Sequence, residues 1–458
     1  MLILKKYRFL AAAVIAFALL TFSAFAETGE FKNEYLDKMI AFGIIDEDAE
    51  FSEDEAVTRA EFTKYAVSAL GLDEQNNIAS GESPFTDIGA ENEYYPYIVK
   101  ALQYNLISRG GEFRPNDSIK SVEAAKILLA MIGYEPLANV KGGYPGGYMS
   151  VASGLGILPS ADENALVYPD EMLSSLWQAV NTKLMDFVAV KDGGVEYQNS
   201  EDKTVLTEYH SIYKDRGIVE ENEYTSIYGA STVSDNCILV NSKSYNIGST
   251  DADELIGYYT EYYYSYDEDT EKKTILYISE YDMKNDVLYI DGDDVNRGGI
   301  SDNYFSYMKG DIARNVKIAK NVSLLVNHTH TPFSADEFDS LNSDVVLIDN
   351  DSDGEIDVIH IFKYEVIRVA AKSVSNHSLT DDFTKKIIKL NPDDNSRKVK
   401  IIRDSVGISF DEISEDDIIS VVESTKNARN IIIIFAILVV IVILISLIGD
   451  IECLKSIF

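Results

Sequence analysis

The chain has 458 residues and a formal net charge of −36 at pH 7. This length allows several domains of ordinary size, each with a core of its own. So large an excess of acids argues against nucleic acid as a partner. The two cysteines, Cys237 and Cys453, stand in unlike segments, so the fold is not expected to depend on a disulfide bond.

The first 26 residues have the pattern of a secretory signal peptide. Lys5, Lys6 and Arg8 form a positive segment, residues 9–20 form an apolar core, and Ala24-Phe25-Ala26 provides the small residues of a cleavage site. We therefore expect an exported protein.

One sequence frame occurs three times in the N-terminal part of the chain. In each copy, an apolar residue is followed four positions later by a glutamate, and apolar residues at helical spacing come after the glutamate. The aligned pairs are Val57 with Glu61, Ile119 with Glu123, and Val167 with Glu171. The copies are named module 1 (about 30–72), module 2 (about 85–134) and module 3 (about 144–188).

The main helix of each module begins with different residues. In module 1, Thr58 and Glu61 have the spacing of a capping box, in which each side chain binds the backbone N–H of the other residue. Module 2 has Lys120 in place of the threonine, so Ser121 is predicted to cap the helix one residue later. Module 3 has Pro169 at the first helical position, which suits a helix start.

A shorter helix is predicted upstream of each main helix. It is followed by a residue that suits a tight turn, which is Gly43, Asn105 or Gly156. Such a unit cannot bury its apolar face alone, so the three modules are expected to pack together. The fold class predicted for residues 27–190 is therefore all-α, with three helix-loop-helix modules.

Residues from about 30 to 188 resemble the S-layer homology (SLH) family. The residues that carry the resemblance are Gly43-Ile44-Ile45, Phe51 and Val57-Thr58-Arg59-Ala60-Glu61-Phe62 in module 1, with Phe85-Thr86-Asp87-Ile88, Tyr97-Ile98 and Phe113-Arg114-Pro115 in module 2. The resemblance implies a pseudo-threefold arrangement that holds a protein non-covalently to an anionic, often pyruvylated, cell-wall polysaccharide.

The resemblance also implies that Arg59 contacts the polysaccharide, with Thr58 and Glu61 beside it. Two interpretations of Arg59 remain open. It is either a solvated cation paired with Glu55, or an arginine that binds an anion together with the free N–H groups of the helix start. The equivalent positions of modules 2 and 3 are not basic, so the resemblance implies a basic contact with the polysaccharide in module 1 only. Because the whole chain is acidic, binding would need a local basic pocket or bridging metal ions.

Beyond about residue 190, short alternating runs rich in Tyr, Val, Ile and Thr predict small antiparallel all-β modules. We expect a helical linker over 191–224 with its helix at 206–216, β modules over 225–300 and 301–395, and a partial β module over 396–430. Tyrosine suits strands, so we assign the 29 tyrosines of the chain mainly to structure and not to carbohydrate stacking.

One acidic segment resembles the opening of a calcium loop, with acids at alternating positions before a glycine. Its candidate ligands are Asp349, Asp351, Asp353 and Asp357. The flanks predict strands, and His360 stands where an EF-hand needs a glutamate. We therefore favour a plain hairpin turn, with a weak calcium site as the alternative. His328 and His330 are assigned to a surface loop and not to a metal site.

Residues 431–448 are apolar apart from Ser446, which is enough for a membrane span. The acidic tail that follows does not fit the positive-inside rule. One hypothesis is a membrane anchor. The other is a hydrophobic tail that interrupts the partial β module and leaves its strands without partners. We favour the span.

The chain contains none of the common nucleophile, phosphate-loop or metalloprotease motifs, so we predict that it is not an enzyme. We favour an exported cell-surface protein that attaches to an anionic secondary cell-wall polysaccharide and displays β modules. We expect no cofactor, with a calcium ion at the acidic turn as the alternative. The alternatives are an SLH-anchored enzyme acting on polysaccharides and a calcium-dependent adhesin or scaffold.

Overall fold

A computed structural model describes residues 33–72, 83–191, 194–339, 343–363, 365–390, 398–403, 406–407, 410–423 and 430–434. The chain divides into two compact units, Met1–Tyr213 and Lys214–Phe458. The predicted signal peptide lies outside the described residues.

The first unit is mainly helical. Among the described residues its helices are α1 (Leu36–Ala41), α2 (Arg59–Ser68), α3 (Tyr95–Gln103), α4 (Ser121–Met131), α5 (Glu135–Val140), α6 (Gly146–Leu155), α7 (Pro169–Asn181) and α8 (Val205–Tyr209). The three predicted turn residues Gly43, Asn105 and Gly156 all have positive φ, between 60° and 73°. An antiparallel hairpin, β1 (Met185–Lys191) with β2 (Gly194–Asn199), begins inside the region that was predicted to be all-α.

The residues that align the three modules are hydrogen-bonded to one another in a closed ring. The N–H of Val57 donates to the carbonyl of Val167 at 2.9 Å, the N–H of Val167 to that of Ile119 at 3.1 Å, and the N–H of Ile119 to that of Val57 at 2.9 Å. All three side chains are buried. Equivalent contacts among three units around one axis would give this cyclic connectivity, and the predicted pseudo-threefold arrangement is consistent with it.

Loop carbonyls of the next module cover the first N–H groups of two main helices. Arg59 and Ala60 donate to Asp117 and Pro115, and Ser121 and Val122 donate to Ala165 and Glu163. At the third junction the chain has Pro169, which has no N–H to donate. The first two junctions are therefore built alike, and the third differs from them.

The glutamates of the frame act alike in all three modules. Their side chains accept the backbone N–H of residues 58, 120 and 168 at 2.8, 3.1 and 2.7 Å. The prediction that Ser121 caps α4 is wrong. Its hydroxyl donates to the carbonyl of Ser160 at 2.9 Å and accepts the N–H of that residue, so it ties down a loop of module 3 instead.

The predicted linker helix over residues 206–216 is wrong beyond residue 209. Helix α8 ends at Tyr209, Ser211 has a positive φ of 51°, and strand β3 (Ile212–Asn222) follows. From Gly217 to Glu221 the residues of this strand alternate between buried and half-buried. That period of two favours a strand over a helix.

The second unit begins with a closed five-stranded barrel. It is formed by β3, β4 (Cys237–Val240), β5 (Lys243–Asn246), β7 (Lys272–Glu280) and β6 (Tyr259–Asp267), in that order. Strands β5 and β7 run parallel. Tyr245 and Tyr262 are buried, and the hydroxyl of Tyr262 donates to that of Tyr245 at 3.1 Å. These tyrosines therefore have the structural role that was predicted.

A mixed sheet follows the barrel. Its strands are β8 (Asp286–Asp291), β9 (Tyr304–Lys309), β10 (Ile312–Val326), β11 (Thr329–Thr331), β12 (Ser343–Asp349) and β13 (Glu355–Lys363). The order is β11-β10-β13-β12-β8, with β9 also paired to β10.

This sheet corrects two predictions. Strands β10 and β13 are parallel, so the β region is not purely antiparallel. Strand β8 pairs with β12 across the predicted boundary at residue 300, and Val346 and Val358 share a core with the barrel. Alternation within each strand predicts strands well, but it does not show which distant strand is the partner.

His328 also differs from its predicted position in a surface loop. It has a positive φ of 60° in the tight turn between β10 and β11, and it is only 8% exposed. Its ring lies 5.3 Å from that of Phe362 and its neighbour His360 is also buried. These histidines therefore belong to the packed interior of the sheet.

The remaining strands form a third sheet. They are β14 (Glu365–Ser373), β15 (Ser378–Asp381), β16 (Ile387–Lys389), β17 (Lys398–Arg403), β18 (Val406–Gly407), β19 (Ile418–Glu423) and β20 (Asn430–Ile434), in the order β16-β15-β14-β19-β20-β17-β18.

The third sheet changes the interpretation of the apolar run at 431–448. Its first residues lie in β20, which pairs with β17 and β19, so the partial β module does have partner strands. Isoleucine is branched at Cβ and suits a strand. In the part of the chain that the structure describes, no helix is long and apolar enough to cross a membrane. Residues 435–448 lie outside that part.

Candidate ligand-binding site

A cavity of about 200 Å³ lies in the helical unit at the start of α2. It is lined by two cations, two acids, three aromatic rings and smaller side chains. These residues are Arg59, Lys126, Glu112, Glu123, Phe85, Phe113, Tyr144, Leu106, Ile107, Ser108 and Ile127. Module 2 supplies nine of these eleven residues, module 1 supplies Arg59, and Tyr144 comes from the start of module 3.

Arg59 is held in a fixed orientation at this cavity. Its Nε donates to the carbonyl of Phe113 at 2.9 Å, and its guanidinium carbon lies 5.2 Å from the centre of the Phe113 ring. Its Nη1 lies 2.7 Å from Oε1 of Glu123, and 17% of the side chain is exposed. The prediction of a solvated arginine paired with Glu55 is wrong, because the partner belongs to module 2.

The loop that carries Phe113 is fixed by Asp87. The carboxylate of Asp87 accepts the N–H of Phe113 at 2.7 Å and that of Arg114 at 2.6 Å. Burial alone would raise the pKa of Asp87, but these N–H groups hold that pKa below its ordinary value. The rings of Phe85 and Phe113 lie 5.5 Å apart. The residues that carried the family resemblance in module 2 therefore position the wall of the cavity.

Glu123 connects three groups at the edge of the cavity. Its Oε1 accepts from Nη2 of Arg114 at 3.1 Å as well as from Arg59, and its Oε2 accepts the N–H of Lys120 at 3.1 Å. One carboxylate thus caps α4 and also neutralises part of the charge of two arginines.

Thr58 and Glu61 form the capping box that the sequence predicts. The N–H of Glu61 donates to Oγ1 of Thr58 at 3.2 Å, and the N–H and hydroxyl of Thr58 donate to Oε2 of Glu61 at 2.8 and 2.7 Å. The prediction of free N–H groups beside Arg59 is wrong, because the N–H groups of Arg59 and Ala60 donate to loop carbonyls of module 2. Any anion here would meet the guanidinium and not the helix start.

Sequence reasoning missed three other residues of the cavity. Lys126 donates from Nζ to Oγ of Ser108 at 2.6 Å, and Tyr144 is 55% exposed at the cavity. Glu123 had been assigned a helix-starting role alone. The repeat alignment marks Glu123, and it also marks Lys126, which stands at the position of Lys64 in module 1. Tyr144 does not stand at an aligned position, so only the fold reveals it.

The acidic segment forms the predicted hairpin turn between β12 and β13. Carboxylate oxygens of Asp349, Asp351 and Asp353 lie within 4.8 Å of one another. The carboxylate of Asp349 already accepts the N–H groups of Ser352 and Gly354 at 2.7 and 2.8 Å. Calcium binding at this turn stays a prediction, and calorimetry with millimolar calcium would test it.

Asp357 stands apart from this group of three. Its Oδ2 accepts the N–H of Asn350 at 3.0 Å. Burial, together with the charges of Asp351, Asp349 and Asp353, raises the pKa of Asp357 to about 6. A bound cation would relieve the repulsion among these acids. Without one, the carboxylates of Asp349 and Asp357 already accept backbone N–H groups of the turn.

Comparison with known proteins gives distant relatives with partial coverage. The chain is 26% identical over 167 residues to a surface layer protein of Brevibacillus choshinensis, a match that covers 36% of this chain and 14% of the relative. It is 27% identical over 167 residues to a middle cell wall protein of Brevibacillus brevis, covering 36% of this chain and 15% of the relative. No protein-family model matches the chain.

These matches span about a third of the chain and about a seventh of each relative. The chain is therefore distantly related to bacterial surface-layer and cell-wall proteins. That relationship indicates a protein of the cell-envelope surface.

Proposed function

We propose that the helical unit attaches the protein non-covalently to an anionic secondary polysaccharide of the cell wall, and that the cavity at Arg59 receives an acidic group of that polymer. The observation that carries the proposal is the fixed guanidinium of Arg59 on the cavity wall. The distant relationship to surface-layer and cell-wall proteins and the resemblance to SLH modules support the same function.

The chemistry of the cavity suits an acidic sugar. Arginine offers paired N–H donors to a carboxylate, and charge-assisted hydrogen bonds of this kind are among the stronger ones in proteins. Lys126 adds a second cation, and the exposed ring of Tyr144 offers a face on which a sugar ring can stack.

The size of the cavity limits what it takes up. Its volume of about 200 Å³ is below the roughly 300 Å³ at which sites for drug-sized ligands begin. One sugar ring or its acidic substituent would therefore enter, while the rest of the polymer stays outside. Affinity would then come from one anchoring group, and the β modules of the second unit would be displayed at the surface.

Sedimentation with purified wall sacculi tests this function. The full chain is mixed with untreated sacculi and with sacculi stripped of their secondary polymer. We expect the chain to pellet with the untreated sacculi and to stay in solution with the stripped ones. Equal pelleting with both preparations would contradict the proposal.

A further inference from the structure

Arg59 already has a carboxylate partner inside the protein. Nη1 of Arg59 lies 2.7 Å from Oε1 of Glu123, and both side chains line the cavity. An acidic sugar would bring the same chemical group to the same guanidinium. Building on the proposed function, we propose that Glu123 takes the place of the ligand carboxylate in the unbound protein, and that binding exchanges one carboxylate for the other.

Glu123 keeps other partners when it releases Arg59. Its Oε1 is shared with Nη2 of Arg114 at 3.1 Å, and its Oε2 accepts the N–H of Lys120 at 3.1 Å. Its side chain is 19% exposed. The exchange therefore leaves no buried carboxylate without a partner, and an unpaired buried charge is what makes most such pairs hard to open.

Arg59 is held in place by groups that the exchange does not disturb. The carbonyl of Phe113 accepts from Nε of Arg59, and the ring of Phe113 lies against the guanidinium. The carboxylate of Asp87 fixes the backbone of Phe113 in turn. The guanidinium thus keeps its orientation while its carboxylate partner changes.

The charges of the lining explain why the exchange matters for affinity. The lining has two cations, Arg59 and Lys126, and two acids, Glu112 and Glu123. With both acids present the formal charges cancel, and the field that would attract an anion is weak. Glu123 therefore competes with the ligand for Arg59 and sets the affinity of the site.

The variant Glu123→Gln tests the competition. Glutamine has nearly the same shape and keeps an oxygen for the N–H of Lys120, but it carries no charge. Glu171→Gln is the matched control, since Glu171 accepts the N–H of Tyr168 in module 3 and is not among the residues that line the cavity. We expect Glu123→Gln to bind untreated sacculi roughly two- to fivefold more tightly than the wild type. Glu171→Gln should bind like the wild type.

Arg59→Ala, alone and combined with Glu123→Gln, separates the two proposals. The gain from Glu123→Gln should vanish when Arg59 is absent. If Arg59→Ala binds as tightly as the wild type, the proposed function of the cavity is wrong. If Arg59→Ala binds weakly but Glu123→Gln binds no better than the wild type, only the exchange is wrong, and Glu123 serves to position Arg59.

A measurement on the wild type avoids any folding defect of the variants. The full chain is labelled with carbon-13 at the glutamate carboxyl groups and titrated with polysaccharide released from the sacculi. The exchange predicts a shift of the Glu123 carboxyl resonance and none at Glu171. A Glu123 resonance that stays fixed at saturation would overturn the exchange.

Discussion

At the scale of single residues, the sequence identifies Arg59 but not its partner. The Thr58–Glu61 box is visible because its two residues stand three apart and obey a local rule. The ion pair of Arg59 with Glu123 joins two modules, so no local spacing reveals it. In the folded protein Arg59 is paired with this acid of module 2, so a ligand carboxylate would have to compete with Glu123 for the guanidinium.

A second residue-scale consequence concerns His360. It is 4% exposed, and its Nε2 lies 2.9 Å from the carbonyl of Ile256. Burial, aided by the neighbouring His328, lowers the pKa of His360 from 6.5 to about 4. Between those values the unfolded chain takes up a proton that the folded chain does not. The contribution of neutral His360 to the free energy of unfolding is therefore complete above about pH 6.5 and is lost as the pH falls through the folded pKa. The full loss is roughly 3 kcal/mol.

The variant His360→Gln tests this, because glutamine can still donate to the carbonyl of Ile256. We expect the free energy of urea unfolding of the wild type to fall more between about pH 7.5 and pH 4.5 than that of the variant. Equal losses in the two proteins would mean that His360 is not buried in its neutral form.

At the scale of elements, the three main helices start in chemically different ways. Of these three helices, only α2 has an N-cap side chain that accepts a backbone N–H: Thr58 accepts that of Glu61, while the side chains of Lys120 and Tyr168 accept none. We predict that Thr58→Ala costs about 1 kcal/mol of unfolding free energy, as N-cap losses usually do. Lys120→Ala, at the same position of α4, should cost much less. Thermal unfolding of both variants measures the difference, and equal costs would contradict the observed caps.

The ring of hydrogen bonds that joins the modules makes a separate prediction. Val57, Ile119 and Val167 lie outside the helices and the named strands, where amide protons usually exchange quickly. Because each N–H donates to another module and is buried, opening one bond requires the modules to separate. Hydrogen exchange should show all three amides protected to a similar degree as the core of α4. Fast exchange at any one of these amides would contradict the closed ring of hydrogen bonds.

How well elements can be predicted depends on whether their signal is local. Helical spacing gives the helix pairs of the three modules, and alternation gives the strands. Ser121 was misassigned because the loop at Ser160 takes its hydroxyl, and the linker helix was misassigned because Ser211 ends α8 early. Cross-module bonds and the parallel pair β10–β13 depend on contacts far apart in the chain, so the sequence pattern cannot specify them.

At the scale of the whole molecule, the β region does not divide into the separate modules that its sequence pattern predicts. The barrel shares its core with Leu325, Val346 and Val358 of the mixed sheet. We therefore predict that a fragment of residues 225–300 is unfolded, because it lacks β3 and the partners of β8. A fragment of residues 212–434 should fold. Circular dichroism and dispersion of amide resonances distinguish these outcomes, and a folded short fragment would contradict the shared core.

The net negative charge of the whole chain makes local cations such as Arg59 important for binding an anionic polymer. A protein with a net charge of −36 gains nothing from general attraction to an anionic polymer, so the proposed attachment would depend on local cations. In the cavity these are Arg59 and Lys126. Removing the side chain of Arg59 therefore tests whether the proposed attachment depends on these cations.

The most direct test is a calorimetric titration of the full chain with polysaccharide released from the sacculi. The wild type is compared with Arg59→Ala and with Arg314→Ala, which removes the same charge from an exposed position of β10. We predict that Arg59→Ala weakens binding about tenfold or more, as the loss of a charge-assisted contact does, and that Arg314→Ala leaves it unchanged. Wild-type affinity in Arg59→Ala would contradict attachment through this cavity.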